Sequence, residues 1–384
     1  MHKLNNIKIT AIATCLAACL LLCDSAVALD HVTFVRDGKR RRVDGRLVVE
    51  AKDGGLMLTA RDGVIWTIPP EELIEHSTDD TPFKPLSRDE LSMQILAELP
   101  EGFDVYGTTN YLVFYDTSKG YARWCAALFE RLYRAFSTHW KGEGFKLPEP
   151  EFPLVAIVFS DKDSYERFAR AELGDAVSSI IGYFSLRTNR MVMYDLTGIG
   201  RAKGRGSSSL TAITKVLSRP QSAATMATIV HEATHQIAYN RGLHERYSDC
   251  PLWFSEGIAM YFEMPDLQSK STWRGIGKVN TPRLIRFGKY ARNRPGDSLA
   301  TLLTNDDRFR DTSTSLDAYA EAWALTYFLI KQRGAEYVKY LRLLSQKKPL
   351  IWDTPEVRRK QFEEIFGDLD ELNVEFLRYM GKIR

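Results

Sequence analysis

Two histidines and a glutamate in the segment "HEATH", residues 231–235, have the spacing of a metal-binding hydrolytic motif. If the segment is helical, His231 and His235 lie one turn apart on the same face, so both imidazoles reach one metal ion. Glu232, beside the first histidine, is positioned to take a proton from a water molecule on that ion. The chain has only seven histidines, and three of them, including His244, fall within fourteen residues. The motif therefore predicts a metal centre that activates water.

A catalytic zinc site uses three protein ligands and keeps one position open, so the motif requires a third ligand. Glu256 in "PLWFSEGIAMYFE" is the candidate. The two segments are predicted to be consecutive helices, the first ending at Gly242 and the second starting at Pro251. At 1.5 Å per residue, His235 and Glu256 then lie about 10 Å and about 8 Å from the connection. If the two helices are antiparallel, both side chains lie at about the same height along the helix axes.

The apolar pattern predicts that an α+β domain positions these side chains. From about residue 91, strands such as "PLVAIVFSD" alternate with helices such as "YARWCAALFERLYRAFSTHW". Beyond about residue 210 nearly every segment is helical. We predict helices there at about 221 to 241, 251 to 264, 281 to 291 and 315 to 333.

A small all-β module, SH3-like or a meander, is predicted before this domain. The β-rich segments "RLVVEA", "LMLTA" and "VIWTIP" alternate with D-G pairs, which supply the positive φ angles of tight hairpin turns. The pairs are Asp37-Gly38, Asp44-Gly45, Asp53-Gly54 and Asp62-Gly63. The predicted division is a signal peptide (1–28), the β module (29–76), a polar linker (77–90) and the main domain (91–384), which comprises an α/β part (91–196), a loop (197–209) and a helical part (210–384).

The N-terminus has the three parts of a secretory signal peptide. A short positive stretch precedes the apolar run "ITAIATCLAACLLLC", and "SAVA" supplies an A-x-A site that ends at Ala28. The run is short for a membrane span. "LAAC" also resembles a bacterial lipobox, which would lipidate Cys19, and a retained anchor is the third alternative. Each alternative predicts export to the periplasm or the cell exterior, with membrane attachment only through Cys19 or a retained signal.

Composition restricts the classes of partner. A hydrophobic content of 44% and an aromatic content of 11% are typical of a globular protein. The net charge of +3 is too small to imply a nucleic-acid partner, and the basic runs at 38–42 and 200–206 contain no aromatics, which favours solvated turns. Outside the targeting segment the cysteines are Cys125 and Cys250. They form either one disulfide or two free thiols.

These motifs resemble those of a known protein superfamily. H-E-x-x-H followed about twenty residues later by W-F-x-E-G-x-A is similar to the gluzincin superfamily of zinc metallopeptidases, the thermolysin-like and aminopeptidase-like group. Gln236 and Asn240 extend the match to the H-E-x-x-H-Q-x-x-x-N form of the aminopeptidase branch. The stretch most resembles an uncharacterised bacterial family of unknown function within that superfamily. The motif match covers about 225 to 330, and the order of elements extends it to 91–384, which implies a zincin-like fold.

The resemblance implies a role for each matched residue. His231, His235 and Glu256 would bind zinc, and Glu232 would be the general base. Relatives place a transition-state tyrosine about sixty residues after the glutamate ligand, and Tyr319 in "AYAEAWALTYFL" lies sixty-three residues after it. Its phenol would donate a hydrogen bond to the developing oxyanion. The alternative for this tyrosine is core packing.

Two further residues are candidates for the same site. His244 is a competing hydrogen-bond donor to the oxyanion, although a histidine in a polar loop is more often exposed. Glu263 is either a partner of a ligand histidine or, more often for such a residue, a solvated glutamate.

The predicted function is an exported, mononuclear zinc metallopeptidase with one Zn²⁺ per chain and a peptide or protein substrate. The upstream G-x-M-E-N segment that captures an amino terminus in aminopeptidases is absent, which favours an endopeptidase. In its place, "IGYFSLRTNRMVMYD" is either an ordinary strand pair or an edge along which extended peptide binds. Two alternatives remain: a zinc hydrolase of a non-peptide amide or ester, and a non-catalytic binding protein. Retention of Glu232 disfavours the second.

Overall fold

The computed structural model describes residues 28–198, 210–217, 219, 222–264 and 273–383. The predicted signal peptide, apart from Ala28, and most of the predicted loop 197–209 lie outside the described residues, as does Cys19. The chain divides into two compact units, Met1–Pro85 and Leu86–Arg384. No helix within the described ranges is both long enough and apolar enough to cross a membrane.

The first unit contains a five-stranded antiparallel sheet with the strand order β4-β3-β2-β1-β5. The strands are β1 (Ala28–Arg36), β2 (Lys39–Glu50), β3 (Leu56–Ala60), β4 (Ile65–Ile68) and β5 (Leu73–Pro82). Its small core consists of Val32, Phe34, Leu56, Leu58 and Ile68. The β-sheet character predicted for the N-terminal part is confirmed.

Three of the four D-G pairs are turns, with a positive φ at Gly38, Gly54 and Gly63. The prediction of a turn at Asp44-Gly45 is wrong, because both residues lie inside β2. A Cβ atom at Gly45 would stand 2.5 Å from the carbonyl oxygen of Thr59 on β3. Glycine is therefore required there by the close approach of a neighbouring strand.

The segment predicted to be a linker, 77–90, is structured at both ends. Its first residues complete β5, where Thr78 pairs with Asp30 of β1. The sequence pattern does not predict this strand. Nearly all of β5 is exposed, so its residues show no alternation of apolar and polar types. Its last residues begin a helix through a capping box, in which Ser87 and Glu90 bond each other's backbone N–H groups.

The second unit begins with a mixed five-stranded sheet of order β6-β7-β8-β10-β9. Its strands are β6 (Asp104–Gly107), β7 (Tyr111–Tyr115), β8 (Leu154–Phe159), β9 (Gly182–Phe184) and β10 (Arg190–Tyr194). The three central strands are parallel, whereas β6 and β9 are antiparallel to their neighbours. β9 therefore lies at one edge of the sheet.

Helices cover the sheet and then form the rest of the unit. Numbered along the described chain, they are α1 (Arg88–Glu98), α2 (Lys119–Gly142), α3 (Lys162–Leu173), α4 (Leu210–Leu217), α5 (Ala223–Asn240), α6 (Leu252–Phe262), α7 (Thr281–Tyr290), α8 (Ser298–Thr304), α9 (Asp307–Arg310), α10 (Ser315–Gln332), α11 (Gly334–Leu344), α12 (Pro355–Phe366) and α13 (Leu369–Met380). The prediction of an α+β protein with a helical C-terminal part is confirmed.

Strand alternation sends side chains to two separate cores. Leu112 and Phe114 of β7 pack with residues of α1 and α3 on one face. Tyr111 and Val113 point to the opposite face, where they join the large core formed with α2, α5 and the C-terminal helices. The sheet thus provides a rigid base against which α5 is held, and α10 packs against both α6 and α7.

Candidate metal centre

Helix α5 carries the H-E-x-x-H motif, and its end is well defined. The N–H of Leu243 returns to the carbonyl of Ala238, while Gly242 adopts a φ of +69°. This is the glycine helix end that the sequence predicts. Ser222 precedes the helix, but its side chain makes no capping hydrogen bond.

Helix α6 packs against α5 and brings Glu256 to the two histidines. Glu256 Oε2 lies 3.0 Å from Nε2 of His231, and Oε1 lies 3.5 Å from Nε2 of His235. The two Nε2 atoms are 3.1 Å apart. Within the described ranges, this is the one group of three or more histidine, cysteine or acidic side chains whose ligand atoms all lie within 4.8 Å of one another. These are the three residues that the sequence predicts as ligands.

In the absence of a cation, His231 and Glu256 stabilise each other's charged forms. Burial opposes charge on His231, but hydrogen bonds to Glu256 and Glu263 outweigh burial and raise the pKa of His231 well above its usual value. Burial also opposes charge on Glu256, yet the neighbouring His235 and His231 lower the pKa of its carboxyl group. The cluster thus favours an ionised carboxylate beside a cationic imidazole, so that a metal ion would replace a proton.

Glu232 is held by the edge of the sheet. Its Oε2 accepts a hydrogen bond of 3.0 Å from the backbone N–H of Phe184, the last residue of β9. Burial raises the pKa of Glu232, and the nearby His231 and His235 only partly offset this effect. A carboxylate with a raised pKa is a better proton acceptor near neutral pH. The motif alone gives no indication of the contact with β9.

Glu263 is hydrogen-bonded to His231 of the cluster, which corrects the expectation of a solvated glutamate. Its Oε2 accepts a hydrogen bond of 2.9 Å from Nδ1 of His231, and the residue is only 6% exposed. Its Oε1 accepts from Nδ2 of Asn280 at 2.5 Å. Asn280 also caps α7 by accepting the N–H of Arg283. The seven-residue spacing from Glu256 to Glu263 places both on one helix face, but nothing local indicates Asn280.

Tyr319 of α10 is near enough to Glu256 and Glu232 for their charges to act on its phenol. Burial raises the pKa of its phenol, and the charges of Glu256 and Glu232 raise it further. The ring is held from two sides, because the Arg283 guanidinium lies 5.6 Å from its centroid and the Phe309 ring packs edge-on at 5.2 Å. The phenol is therefore a neutral hydrogen-bond donor near the His/Glu cluster.

His244 is buried, at 2% exposure, which contradicts the expectation of an exposed loop residue. Burial, followed by the charge of His235, lowers the pKa of its imidazole to about 3, so it is neutral. Its Nδ1 lies 3.6 Å from the thiol of Cys250, and its ring packs edge-on against Phe254. Cys250 and Cys125 are both free thiols, so the structure contains the second of the two cysteine alternatives.

Gln236 and Asn240 fix α5 to the sheet. The buried Gln236 donates to the backbone carbonyls of Val155 and Asn189 at 2.8 and 3.1 Å. Asn240 exchanges two side-chain hydrogen bonds with Asn189, which adopts a φ of +60° in the turn before β10. The two residues that extend the motif therefore set the position of the helix on β8 and on the turn before β10.

Residues 225–351 match a protein family described as "Protein of unknown function (DUF1570)". The match contains His231, His235 and Glu256 as well as Glu263, Asn280 and Tyr319, and it ends before the last two helices. No curated protein matches the chain.

Proposed function

We propose that this protein is an exported zinc-dependent metallopeptidase of the gluzincin type, with a zincin-like fold in residues 91–384. The observation that carries the proposal is the convergence of His231, His235 and Glu256 with the carboxylate of Glu232 beside them. Neither the ligand set nor the buried carboxylate would by itself define a hydrolytic centre. A purely structural metal site has no use for an adjacent base, and a lone buried glutamate needs no metal.

The donor set fits zinc. Two imidazole nitrogens and one carboxylate oxygen form the ligand set of zinc hydrolases that keep one coordination position open. Bonds of about 2.0–2.1 Å in tetrahedral geometry hold ligand atoms about 3.3 Å apart. The two Nε2 atoms are 3.1 Å apart, and Glu256 places Oε2 3.0 Å from Nε2 of His231 and Oε1 3.5 Å from Nε2 of His235. The chain therefore needs little rearrangement to accept the ion.

The residues around the cluster each have a separate role in the proposed reaction. A bound zinc ion supplies Lewis acidity, lowering the pKa of a coordinated water and polarising a carbonyl group. Glu232 accepts the proton of the attacking water and passes it to the leaving amine. Tyr319 donates a hydrogen bond to the oxygen that becomes negative. Glu263 holds His231 through Nδ1 and thereby selects Nε2 for the metal.

The position of β9 supports a peptide as the substrate. β9 is an edge strand, and its last residue, Phe184, contacts the proposed base directly. An extended peptide that pairs with such an edge would be held in a fixed orientation beside the proposed base. Because strand addition does not require a free amino terminus, the arrangement favours internal cleavage. A zinc hydrolase of a non-peptide amide or ester is the second candidate, since the catalytic groups would be the same.

Metal content tests the proposal first. The purified chain should hold about one zinc per molecule, measured by elemental analysis after dialysis against metal-free buffer. Glu232→Gln should keep that zinc and its thermal stability but lose nearly all cleavage of a peptide library, since general-base catalysis contributes about 10²–10⁴-fold. His235→Ala should instead lose zinc first and activity as a consequence.

A matched control is Glu364→Gln, the same chemical change at an exposed helix position. It should alter neither zinc content nor cleavage. If Glu232→Gln loses zinc as readily as His235→Ala, the assigned roles are wrong. If the zinc-loaded protein cleaves no peptide but hydrolyses simple esters or amides, the second candidate replaces the first.

Export rests on the signal-peptide pattern alone. N-terminal sequencing of protein from its native host should begin at Leu29, or at a lipidated Cys19. An intact Met1 on a soluble cytoplasmic protein would contradict export without affecting the metal site.

A further inference from the structure

The β1–β2 hairpin of the first unit carries an unusual concentration of positive charge. Lys39, Arg40, Arg41 and Arg42 follow the turn at Asp37-Gly38, and all four are exposed. Arg42 has an acidic partner, the half-exposed Asp44 at 3.7 Å. In the part of the chain that the structure describes, the other three side chains make no ion pair. The charge is therefore available to a partner.

The same segment has an unpaired backbone edge. β2 pairs with β1 from Lys39 onward, but its pairing with β3 begins only at Gly45. No described strand lies on the outer side of residues 39–44. The backbone groups that face outward there can accept one more strand. The exposed positive charge and the open backbone edge are independent observations on the same segment.

The register places the basic side chains on both faces of the hairpin. Arg40 and Arg42 are opposite Val35 and Thr33, whereas Arg41 is opposite the buried Phe34 and so lies on the core side. A planar anionic membrane would reach only one of these faces. A strand laid along the edge presents its own side chains alternately to both faces.

The surroundings of Trp66 disfavour a nucleic-acid partner. Two guanidinium groups already lie over its ring, Arg36 at 5.7 Å and Arg41 at 5.8 Å from the centroid. The indole is therefore not an open platform on which a base can stack, and such platforms are typical of single-strand recognition. Instead the ring fixes the direction of Arg41 beside the open edge.

We propose that residues 39–44 of β2 form a docking edge for an acidic, extended peptide segment of a partner protein. The partner adds a strand to the open edge, and its acidic side chains pair with Arg40 and Arg42 on one face and with Lys39 and Arg41 on the other. The proposal concerns the first unit only and does not depend on the metal centre.

A binding assay with the full chain tests this docking edge. The probe is a fluorescent eight-residue peptide, Glu-Glu-Val-Val-Glu-Glu-Val-Val, which presents two carboxylates to each face when extended; it is titrated by anisotropy at low and moderate salt. We expect saturable binding that weakens with salt and falls by about tenfold or more in Arg40→Glu/Arg42→Glu, because two favourable charge pairs become repulsive. The control Lys289→Glu/Arg292→Glu makes the same charge change at exposed positions of the second unit and should leave binding unchanged.

Backbone pairing is tested separately from charge. The same peptide with alternate N-methylated amides keeps its charge but cannot complete a strand ladder, so its binding should be lost. Equal binding of the methylated peptide would overturn strand addition. Tighter binding of heparin or of phosphatidylglycerol vesicles than of the peptide would overturn the choice of partner. Absence of peptide binding would mean that the arginines only protect the edge against aggregation.

Discussion

Glu263 offers the sharpest test of how the cluster is held. Its side chain is 8% exposed and joins Nδ1 of His231 to Nδ2 of Asn280. In Glu263→Gln the amide oxygen can still accept from His231, but the new NH₂ group then faces the NH₂ group of Asn280. Asn280 cannot rotate without losing the cap that its oxygen provides to Arg283. The substitution therefore removes one charge and at least one hydrogen bond while preserving volume.

The expected loss follows from the role of such partners. Removing a carboxylate behind a ligand histidine costs about 10- to 100-fold in metal affinity. This corresponds to about 1.4–2.8 kcal/mol of binding free energy. The loss should be larger at pH 8.5 than at pH 6.5, because Glu263 also raises the pKa of His231, so the variant suffers less competition from protons at low pH.

Zinc affinity is measured by competition against a chromophoric chelator, with Glu364→Gln as the matched exposed control. Circular dichroism of the zinc-free variant checks that the fold is retained. A variant that binds zinc as tightly as the wild type at both pH values would refute the supporting role of Glu263. A loss that is equal at both pH values would indicate general structural damage instead of weakened ligand basicity.

Two further predictions concern Tyr319 and the β module. Tyr319→Phe should lower kcat and kcat/KM together by about 100- to 1000-fold at unchanged zinc content, because one oxyanion donor contributes about 2.7–4 kcal/mol; an unchanged kcat would leave Tyr319 a packing role only. Hydrogen bonds to Asp44, which has the larger effect, and to Asp79 raise the pKa of His31. The hydrogen bond to His31 in turn lowers the pKa of Asp79. The interaction thus stabilises the fold at pH values between the unfolded pKa of aspartate, about 4, and that of histidine, about 6.5, and its contribution is lost as pH rises through the raised pKa of His31. Denaturation of the wild type and of His31→Gln at pH 5.5 and 9 should show the larger difference at pH 5.5, and a larger difference at pH 9 would contradict the assigned sign.

The local part of the site is predictable because its geometry is set by helix periodicity. His231 and His235 share a face through a four-residue spacing, and the short connection at Gly242 sets the level of Glu256 on the next helix. The sequence predicts the main helices to within a few residues, since each has a long apolar pattern. It does not predict β5, because a strand exposed along most of its length carries no such pattern.

The sequence by itself determined which residue types can bind a metal and on which helix faces they lie. Only the tertiary structure decided what surrounds them. The contact of Glu232 with Phe184 joins residues 48 positions apart, and the bonds between Asn189 and Asn240 join residues 51 positions apart. Burial of His244 and support of Glu263 by Asn280 likewise depend on how the helices pack. Spacing along a helix is fixed by backbone geometry, whereas such contacts follow from the packing of the whole chain.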